Sequence, residues 1–122
     1  MVGALFDTNI LIDLLRGRTQ ARDEVARFDD RAISMITWIE VMVGAPDEAR
    51  TATRAFMAGF TLVDLDEAVA ARAVELRRRY RMKLPDAVIW ATAQIGGRLL
   101  VTRNTKDLPA DDPGVRVPYL VS

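Results

Sequence analysis

The strongest constraint on the fold is the alternation of short apolar runs with longer stretches of helical periodicity. Strands are predicted at 2–6, 32–36, 62–63 and 99–102, and a weak edge strand at 115–120 is limited by Pro118. Helices are predicted between them, at 8–15, 20–28, 37–43, 46–58, 66–80 and 85–95. This order is typical of an α/β fold with a central, mostly parallel sheet of four to five strands flanked by helices. No repeat or linker divides residues 1–122, so a single domain is expected.

Several helix boundaries are predicted from capping residues. Thr37 is expected to open the third helix in a Thr37-x-x-Glu40 capping box. Pro46 is expected to start the fourth helix at its first turn, and Gly59 to end it. Asp66 is expected to cap the fifth helix.

The chain contains no histidine and no cysteine, which excludes whole classes of chemistry. Disulfides, thiolate zinc sites, thiol nucleophiles and imidazole bases are all ruled out. Any reaction must therefore use carboxylates, hydroxyls, amines, amides or a bound cofactor. Asp7 and Asp13 interrupt the apolar N-terminus and no apolar run is long enough to span a bilayer, so a cytoplasmic protein without membrane association is expected.

Acidic residues follow several of the predicted strands. Asp7 follows the first strand, Glu40 lies one turn into the helix after the second, and Asp107 follows the strand at 99–102. The carboxyl ends of parallel strands share one edge of a sheet, where ligands commonly bind. Asp86 lies in the first turn of its helix and joins this group only if that helix begins at the same edge, which the sequence leaves open.

Each of these residues also has a purely structural interpretation. Asp7 can cap a helix, Glu40 can complete a capping box, Asp86 is favoured near a helix N-terminus, and Asp107 suits a turn. The structural interpretation is weakest for Asp7, because its apolar neighbours indicate a buried junction and an unpartnered buried carboxylate costs several kcal/mol. A divalent Mg²⁺ or Mn²⁺ ion would relieve that cost, since both prefer hard oxygen ligands, and would suit phosphodiester chemistry.

Four motifs in order along the chain resemble those of the PIN domain family. They are Phe6-Asp-Thr-Asn9, Thr37-Trp-Ile-Glu40 with Gly44 after it, Leu84-Pro-Asp-Ala87, and Val101-Thr-Arg-Asn-Thr-Lys-Asp107. The chain is most similar in these motifs to the VapC-type toxins of toxin–antitoxin systems, particularly their FitB-like branch. The resemblance implies a PIN-like fold over nearly the whole chain.

The resemblance also implies a ribonuclease that depends on Mg²⁺ or Mn²⁺ and hydrolyses structured RNA, such as transfer or ribosomal RNA, through a metal-activated water. Asp7, Glu40 and Asp86 match the family's metal ligands, with Asp107 as a further acid. Asn104 stands where the family commonly has an aspartate, which puts a second metal site in doubt. The expected supporting residues are Thr8, Asn9, Thr37 and Thr102. The expected partners are a cognate antitoxin, RNA and a second copy of the chain in a homodimer and a toxin–antitoxin hetero-oligomer.

Basic residues are concentrated near the end of the fifth helix. This group and two residues near the acidic motifs are candidate RNA contacts: Arg77, Arg78, Arg79, Arg81, Lys83, Arg103 and Lys106. The basic run equally suits a solvated helix C-terminus. Aromatic residues make up only 7% of the chain, so recognition of RNA shape and phosphates is favoured over base stacking.

Three other functions remain as alternatives. A phosphoacceptor receiver domain is disfavoured because 51–60 contains no acidic residue and has a helical pattern. A haloacid-dehalogenase-type phosphatase needs Asp-x-Asp after the first strand, where this chain has Asn9. A catalytically weak or inactive PIN-like module that only binds RNA or protein is the main alternative. Asn104 slightly favours it, and the intact acids at 7, 40 and 86 argue against it.

Overall fold

The computed structural model describes residues 2–121 and contains a five-stranded, fully parallel sheet. The strands are β1 (Ala4–Phe6), β2 (Arg31–Ser34), β3 (Thr61–Val63), β4 (Leu99–Val101) and β5 (Val115–Arg116). The α-helices are α1 (Thr8–Leu15), α2 (Thr19–Ala26), α3 (Met35–Gly44), α4 (Arg50–Met57), α5 (Glu67–Tyr80) and α6 (Leu84–Ile95). A 3₁₀ turn at Asp47–Ala49 precedes α4. The predicted α/β fold is confirmed.

Helices cover both faces of the sheet, so the central strands are apolar on both sides. Leu5 and Leu100 pack with residues of α5 and α6 in one core cluster. Phe6 and Val101, one position further along the same strands, pack with residues of α1, α2 and α3 in the other cluster. Trp90 on α6 is only 1% exposed and is among the largest fully buried side chains. No helix within residues 2–121 is long and apolar enough to cross a membrane.

The strand order β3-β2-β1-β4-β5 places a topological switch point beside β1. The chain moves from β1 through β2 to β3 on one side and later adds β4 and β5 on the other. Phe6 at the end of β1 is in register with Val101 at the end of β4. In open parallel sheets, ligands bind in the crevice beyond the carboxyl ends at such a point.

The prediction that Thr37 opens the third helix is wrong. α3 begins two residues earlier, at Met35, and the hydroxyl of Ser34 accepts a hydrogen bond from the Thr37 backbone N–H at 3.0 Å. Ser34 ends β2 and provides the cap directly, so Ile36 lies in the helix rather than in the strand. The capping box is therefore absent from this turn, and Glu40 instead accepts a hydrogen bond from the Thr8 hydroxyl.

Other boundaries also differ from the prediction. Pro46 has an extended backbone and caps the 3₁₀ turn, so α4 starts only at Arg50. α4 ends at Met57 with Ala58 as its C-cap, one residue before the predicted Gly59. The strand β5 is two residues long rather than six, in keeping with the inability of Pro118 to donate to a ladder.

The prediction that Asp66 caps the fifth helix is confirmed, since its Oδ1 accepts from the Val69 backbone N–H at 2.9 Å. The C-terminal end of α5 carries backbone strain. Arg81 ends the helix in the left-handed conformation, with φ of 54°, the only positive φ outside glycine within residues 2–121. A side chain with a Cβ costs roughly 1–2 kcal/mol there, whereas glycine is free of that cost.

We predict that Arg81→Gly raises the free energy of unfolding by about 1 kcal/mol, measured by urea denaturation. Arg81→Ala is the matched control, because it removes the same guanidinium but keeps the Cβ, and it should not be stabilised. Equal stability of the two variants would contradict the interpretation.

Candidate active site

Asp7 lies at the switch point, between β1 and α1, and is 4% exposed. Its Oδ1 accepts a hydrogen bond from the Thr8 backbone N–H at 2.7 Å. Its Oδ2 accepts from the Thr102 hydroxyl at 2.7 Å and from the Asn9 side-chain amide at 3.2 Å. Burial raises the pKa of Asp7, and the hydrogen bond from Thr102 opposes that rise. Asp7 does cap α1, but the cap occupies one oxygen, and the second is held by side chains from two other positions.

The segment after β4 is folded around Asn104. Its backbone N–H donates to the Thr102 hydroxyl oxygen at 2.9 Å, and its Oδ1 accepts from the Asp107 backbone N–H at 3.1 Å. The Asn104 side-chain amide also donates to Asp107 Oδ2 at 3.1 Å. An aspartate at this position has no amide to donate and would repel the Asp107 carboxylate. Asn104 thus departs from the common family pattern but fixes the acid that follows it.

Glu40 is brought to the site by a hydroxyl cluster between α1 and α3. The Thr8 hydroxyl donates to Glu40 Oε1 at 2.7 Å, and its oxygen lies 3.1 Å from the Thr37 hydroxyl oxygen. Thr37 is fully buried and lies 3.3 Å from the hydroxyl of Ser34. Glu40 itself is exposed, so Thr8 orients an otherwise free carboxylate.

Asp86 lies in the first turn of α6 and is half-buried. Its pKa is raised to about 6, first by burial and then by the negative charges of Asp7 and Asp107, with a further contribution from Glu40. The positive charge of Lys83 acts in the opposite direction. α6 ends at Ile95, close before the start of β4 at Leu99, so it returns along the sheet and begins at the carboxyl edge of the strands. Asp86 therefore lies at the same edge as Asp7, in keeping with the charges that act on it.

The donor set fits a divalent cation chemically, because it consists of carboxylate and amide oxygens that repel one another in the absence of positive charge. Within residues 2–121, however, no three acidic side chains are close enough together to form a ready-made metal centre. Asp7 is fixed by its hydrogen bonds, whereas Glu40 is exposed and Asp86 is half-buried. The closer approach that a metal requires therefore has to come from the side chains of Glu40 and Asp86.

The candidate RNA-contacting residues divide into two groups. The guanidinium of Arg103 is engaged with Asp13, and Arg77 donates to the Met82 carbonyl oxygen at 2.8 Å. The remaining candidates have exposed side chains: Arg78, Arg79, Arg81, Lys83 and Lys106. Contact with RNA stays a prediction for all seven.

Sequence reasoning missed Asp13, Ser34 and Tyr119. Asp13 is 1% exposed and accepts hydrogen bonds from Arg103 and from the Tyr119 hydroxyl. The sequence marks Asp13 only as a carboxylate among the apolar residues of α1. The partners of Asp13 lie about 90 and 106 positions away. No local pattern identifies such partners.

The fold is that of the PIN class. The PIN domain family matches residues 4–109 of the chain. Ribonuclease VapC10 from two strains of Mycobacterium tuberculosis is 34% identical over 113 residues, covering 86% of this chain and 85% of that protein. The chain therefore belongs to the PIN domain family, and the predicted resemblance to VapC-type proteins is confirmed.

Solved structures agree with this assignment. A toxin–antitoxin complex from Klebsiella pneumoniae contains a chain that is 48% identical, with a TM-score of 0.91, covering 98% of this chain and all of that one. FitAcB from Neisseria gonorrhoeae has a TM-score of 0.76 at 24% identity, covering 94% of this chain and 97% of that one. At that level of identity FitAcB shows a shared fold alone.

The raised pKa of Asp86 predicts a pH-dependent stability. The folded protein binds this proton more tightly than the unfolded chain, so stability falls as pH rises from about 4 to about 6. In metal-free buffer with EDTA, Asp86→Asn should therefore melt a few degrees above the wild type at pH 7.5. The difference should shrink as the pH is lowered and vanish below about pH 3, where the Asp86 carboxyl is neutral in both the folded and the unfolded protein.

Asp111→Asn is the matched control for this thermal shift, since Asp111 is an exposed aspartate outside the site. Its melting temperature should follow that of the wild type at both pH values. An Asp86→Asn protein that is no more stable than the wild type at pH 7.5 would contradict the conclusion that burial and the neighbouring carboxylates disfavour the charged form of Asp86.

Proposed function

We propose that this protein is a metal-dependent endoribonuclease that acts as the toxin of a toxin–antitoxin pair. The observation that carries the proposal is the placement of Asp7, Glu40, Asp86 and Asp107 at one edge of the sheet. Burial raises the pKa of Asp86, and the negative charges of the other three raise it further. Four carboxylates with one nearby lysine form a site that attracts cations. The similarity to Ribonuclease VapC10 supports RNA as the substrate.

Asp7, Glu40 and Asp86 are the residues that would hold Mg²⁺ or Mn²⁺. A bound divalent ion would neutralise the phosphodiester and lower the pKa of a water molecule enough for hydrolysis at neutral pH. Asp7 provides a fixed carboxylate, because hydrogen bonds from Thr8, Asn9 and Thr102 determine its orientation. Glu40 is directed towards the site by the Thr8 hydroxyl.

Asn104 and Asp107 complete the site on the side of β4. The hydrogen bond from the Asn104 amide leaves the Asp107 carboxylate oriented rather than free to rotate. Asp107 also contributes negative charge at Asp86, so it belongs to the same electrostatic cluster. We assign to these two residues the orientation of the substrate or of a second hydrated ion.

Structured RNA, such as transfer or ribosomal RNA, is the proposed substrate class. The exposed basic residues at the end of α5 offer phosphate contacts, and they are followed closely in the chain by Asp86. Phosphate contacts supply affinity and orientation without reading sequence. The shape of a folded RNA would then select the bond to be cut.

The proposed partners are a cognate antitoxin and a second copy of the chain. The 48% identical chain from Klebsiella pneumoniae is part of a toxin–antitoxin complex. Several large apolar side chains are exposed here, including Leu15 at the end of α1 and Ile39 and Val43 on α3, with Val43 80% exposed. Ile39 and Val43 lie one helical turn apart on α3, and exposed apolar residues that are grouped in this way suit a surface that a partner covers.

Incubation of the purified protein with total tRNA tests the activity. Cleavage is expected with Mg²⁺ or Mn²⁺ and should stop on addition of EDTA. Asp7→Asn should lower the cleavage rate by about 100-fold or more, because loss of even an indirect metal contact costs 10–100-fold. Metal-independent cleavage, or full activity of Asp7→Asn, would refute the carboxylate mechanism.

Asp86→Asn is the control that separates catalysis from folding. This variant is expected to be more stable than the wild type in metal-free buffer, so its loss of cleavage cannot come from unfolding.

If the wild type cleaves no RNA under any metal condition but still binds it, the alternative of a non-catalytic binding module is favoured.

Neutralising the exposed basic residues should weaken RNA binding with little effect on the chemical step. A combined Arg78→Gln, Arg79→Gln and Lys83→Gln variant should raise KM and flatten the salt dependence of binding, by about 0.7–0.9 in log–log slope per lost phosphate contact. Arg22→Gln on α2 is the control, since Arg22 is equally exposed but lies outside the basic segment. An unchanged salt slope in the triple variant would contradict these contacts.

A further inference from the structure

Two buried acidic side chains of the α1–α2 region form bidentate ion pairs with arginines from the C-terminal part of the chain. Asp13 is 1% exposed, and Arg103 donates to it from Nε at 2.6 Å and from Nη2 at 3.1 Å. Glu24 is 4% exposed, and Arg116 donates to it from Nε at 2.5 Å and from Nη2 at 2.9 Å. The two pairs match in burial and geometry. They differ in where they lie relative to the acidic residues at the sheet edge.

The pair at Asp13 is reinforced by two further groups. The Tyr119 hydroxyl donates to Asp13 Oδ2 at 2.7 Å, and Arg18 Nε lies 3.6 Å from Oδ1. Burial opposes ionisation of Asp13, but the hydrogen bonds from Arg103 and Tyr119 outweigh it and lower its pKa. Asp13 is therefore a charged anchor, fixed to α1 and inaccessible to solvent.

Residues 102–107, which follow β4 and carry Asn104 and Asp107, form the site segment, and Arg103 is its second residue. Its backbone N–H donates to Asn9 Oδ1 at 3.1 Å, while its side chain reaches Asp13 one helical turn further along α1. The segment is thus joined to α1 through both the backbone and the side chain of one residue. Arg116, by contrast, belongs to β5. Its backbone carbonyl accepts a hydrogen bond from the Thr102 N–H at 3.0 Å, but its side chain donates to Glu24, which lies outside the site.

We propose that Asp13 and Arg103 are positioning residues, whose ion pair holds the 102–107 segment against α1 and so sets Thr102 and Asp107 relative to Asp7. The inference rests on the proposed metal-dependent function, which gives the position of Asp107 its importance. It also assigns the Arg103 guanidinium to a role within the protein instead of direct contact with RNA. The side-chain pair of Glu24 and Arg116 stabilises the fold in the same way but does not join the site segment to α1.

Asp13→Asn and Glu24→Gln are the matched variants that test this, since each keeps the shape of a buried side chain and removes its charge. Both should lower the melting temperature. Only Asp13→Asn should weaken Mn²⁺ binding, by about 10-fold as measured by electron paramagnetic resonance of the free ion. Only Asp13→Asn should also speed hydrogen exchange at the backbone amides of Arg103, Asn104 and Asp107, which are hydrogen-bonded in the site segment.

Two milder variants keep the test decisive if Asp13→Asn does not fold. Arg103→Lys retains the charge but loses the bidentate contact, and Tyr119→Phe removes one hydrogen bond to Asp13. Each should weaken Mn²⁺ binding and speed hydrogen exchange in the site segment, by less than Asp13→Asn does. Arg116→Lys should change neither the Mn²⁺ affinity nor the exchange rates.

The outcomes separate this inference from the proposed function. Absence of Mn²⁺ binding by the wild type would refute the metal centre, and the exchange rates would still decide whether Asp13 holds the segment. Identical exchange and Mn²⁺ affinity in Asp13→Asn and Glu24→Gln would overturn the positioning role.

Discussion

The structure depends on a buried carboxylate at the switch point of a parallel sheet. Asp7 is placed there because β1 is the central strand and its carboxyl end opens between β2 and β4. Its neutral hydrogen-bond donors come from α1 and from the end of β4, so the two sides of the crevice are joined through one side chain. Replacing Asp7 by an apolar residue would remove the shared acceptor of these donors and leave buried polar groups without partners.

The remaining acids are arranged around Asp7 at an electrostatic cost. Glu40, Asp107 and Asp7 all act on Asp86 with the same sign, and Lys83 offsets only part of that effect. The chain has equal numbers of acidic and basic residues, 17 of each, so this local excess arises from placement and not from composition. Asn104 fits the same account, because it supplies a site oxygen and a donor to Asp107 without adding a fifth negative charge.

The sequence predicted the layers of the fold and the edge position of Asp7 well, because both depend on local patterns, whereas the position of Asp86 depends on where α6 begins. Alternating apolar runs identify buried parallel strands, and residues that directly follow such strands lie at the sheet edge. The start of α3 was missed because Ser34, at the end of β2, acts as a cap in place of Thr37. The role of Arg103 was missed for a different reason, since its partner Asp13 is 90 positions away and only the folded chain brings them together.

Buried acids of two kinds coexist in this chain, and the partners distinguish them. Asp13 and Glu24 each have a bidentate arginine, so their charges are satisfied by the protein alone. Asp7 is buried to a similar extent but has only neutral donors within residues 2–121, and its pKa is raised where that of Asp13 is lowered. A protein under selection for stability alone would give Asp7 a cationic partner or replace it. Asp7 therefore fits the proposed external cation, and the proposed role of the Asp13–Arg103 pair is to give the site segment the rigidity that such a site requires.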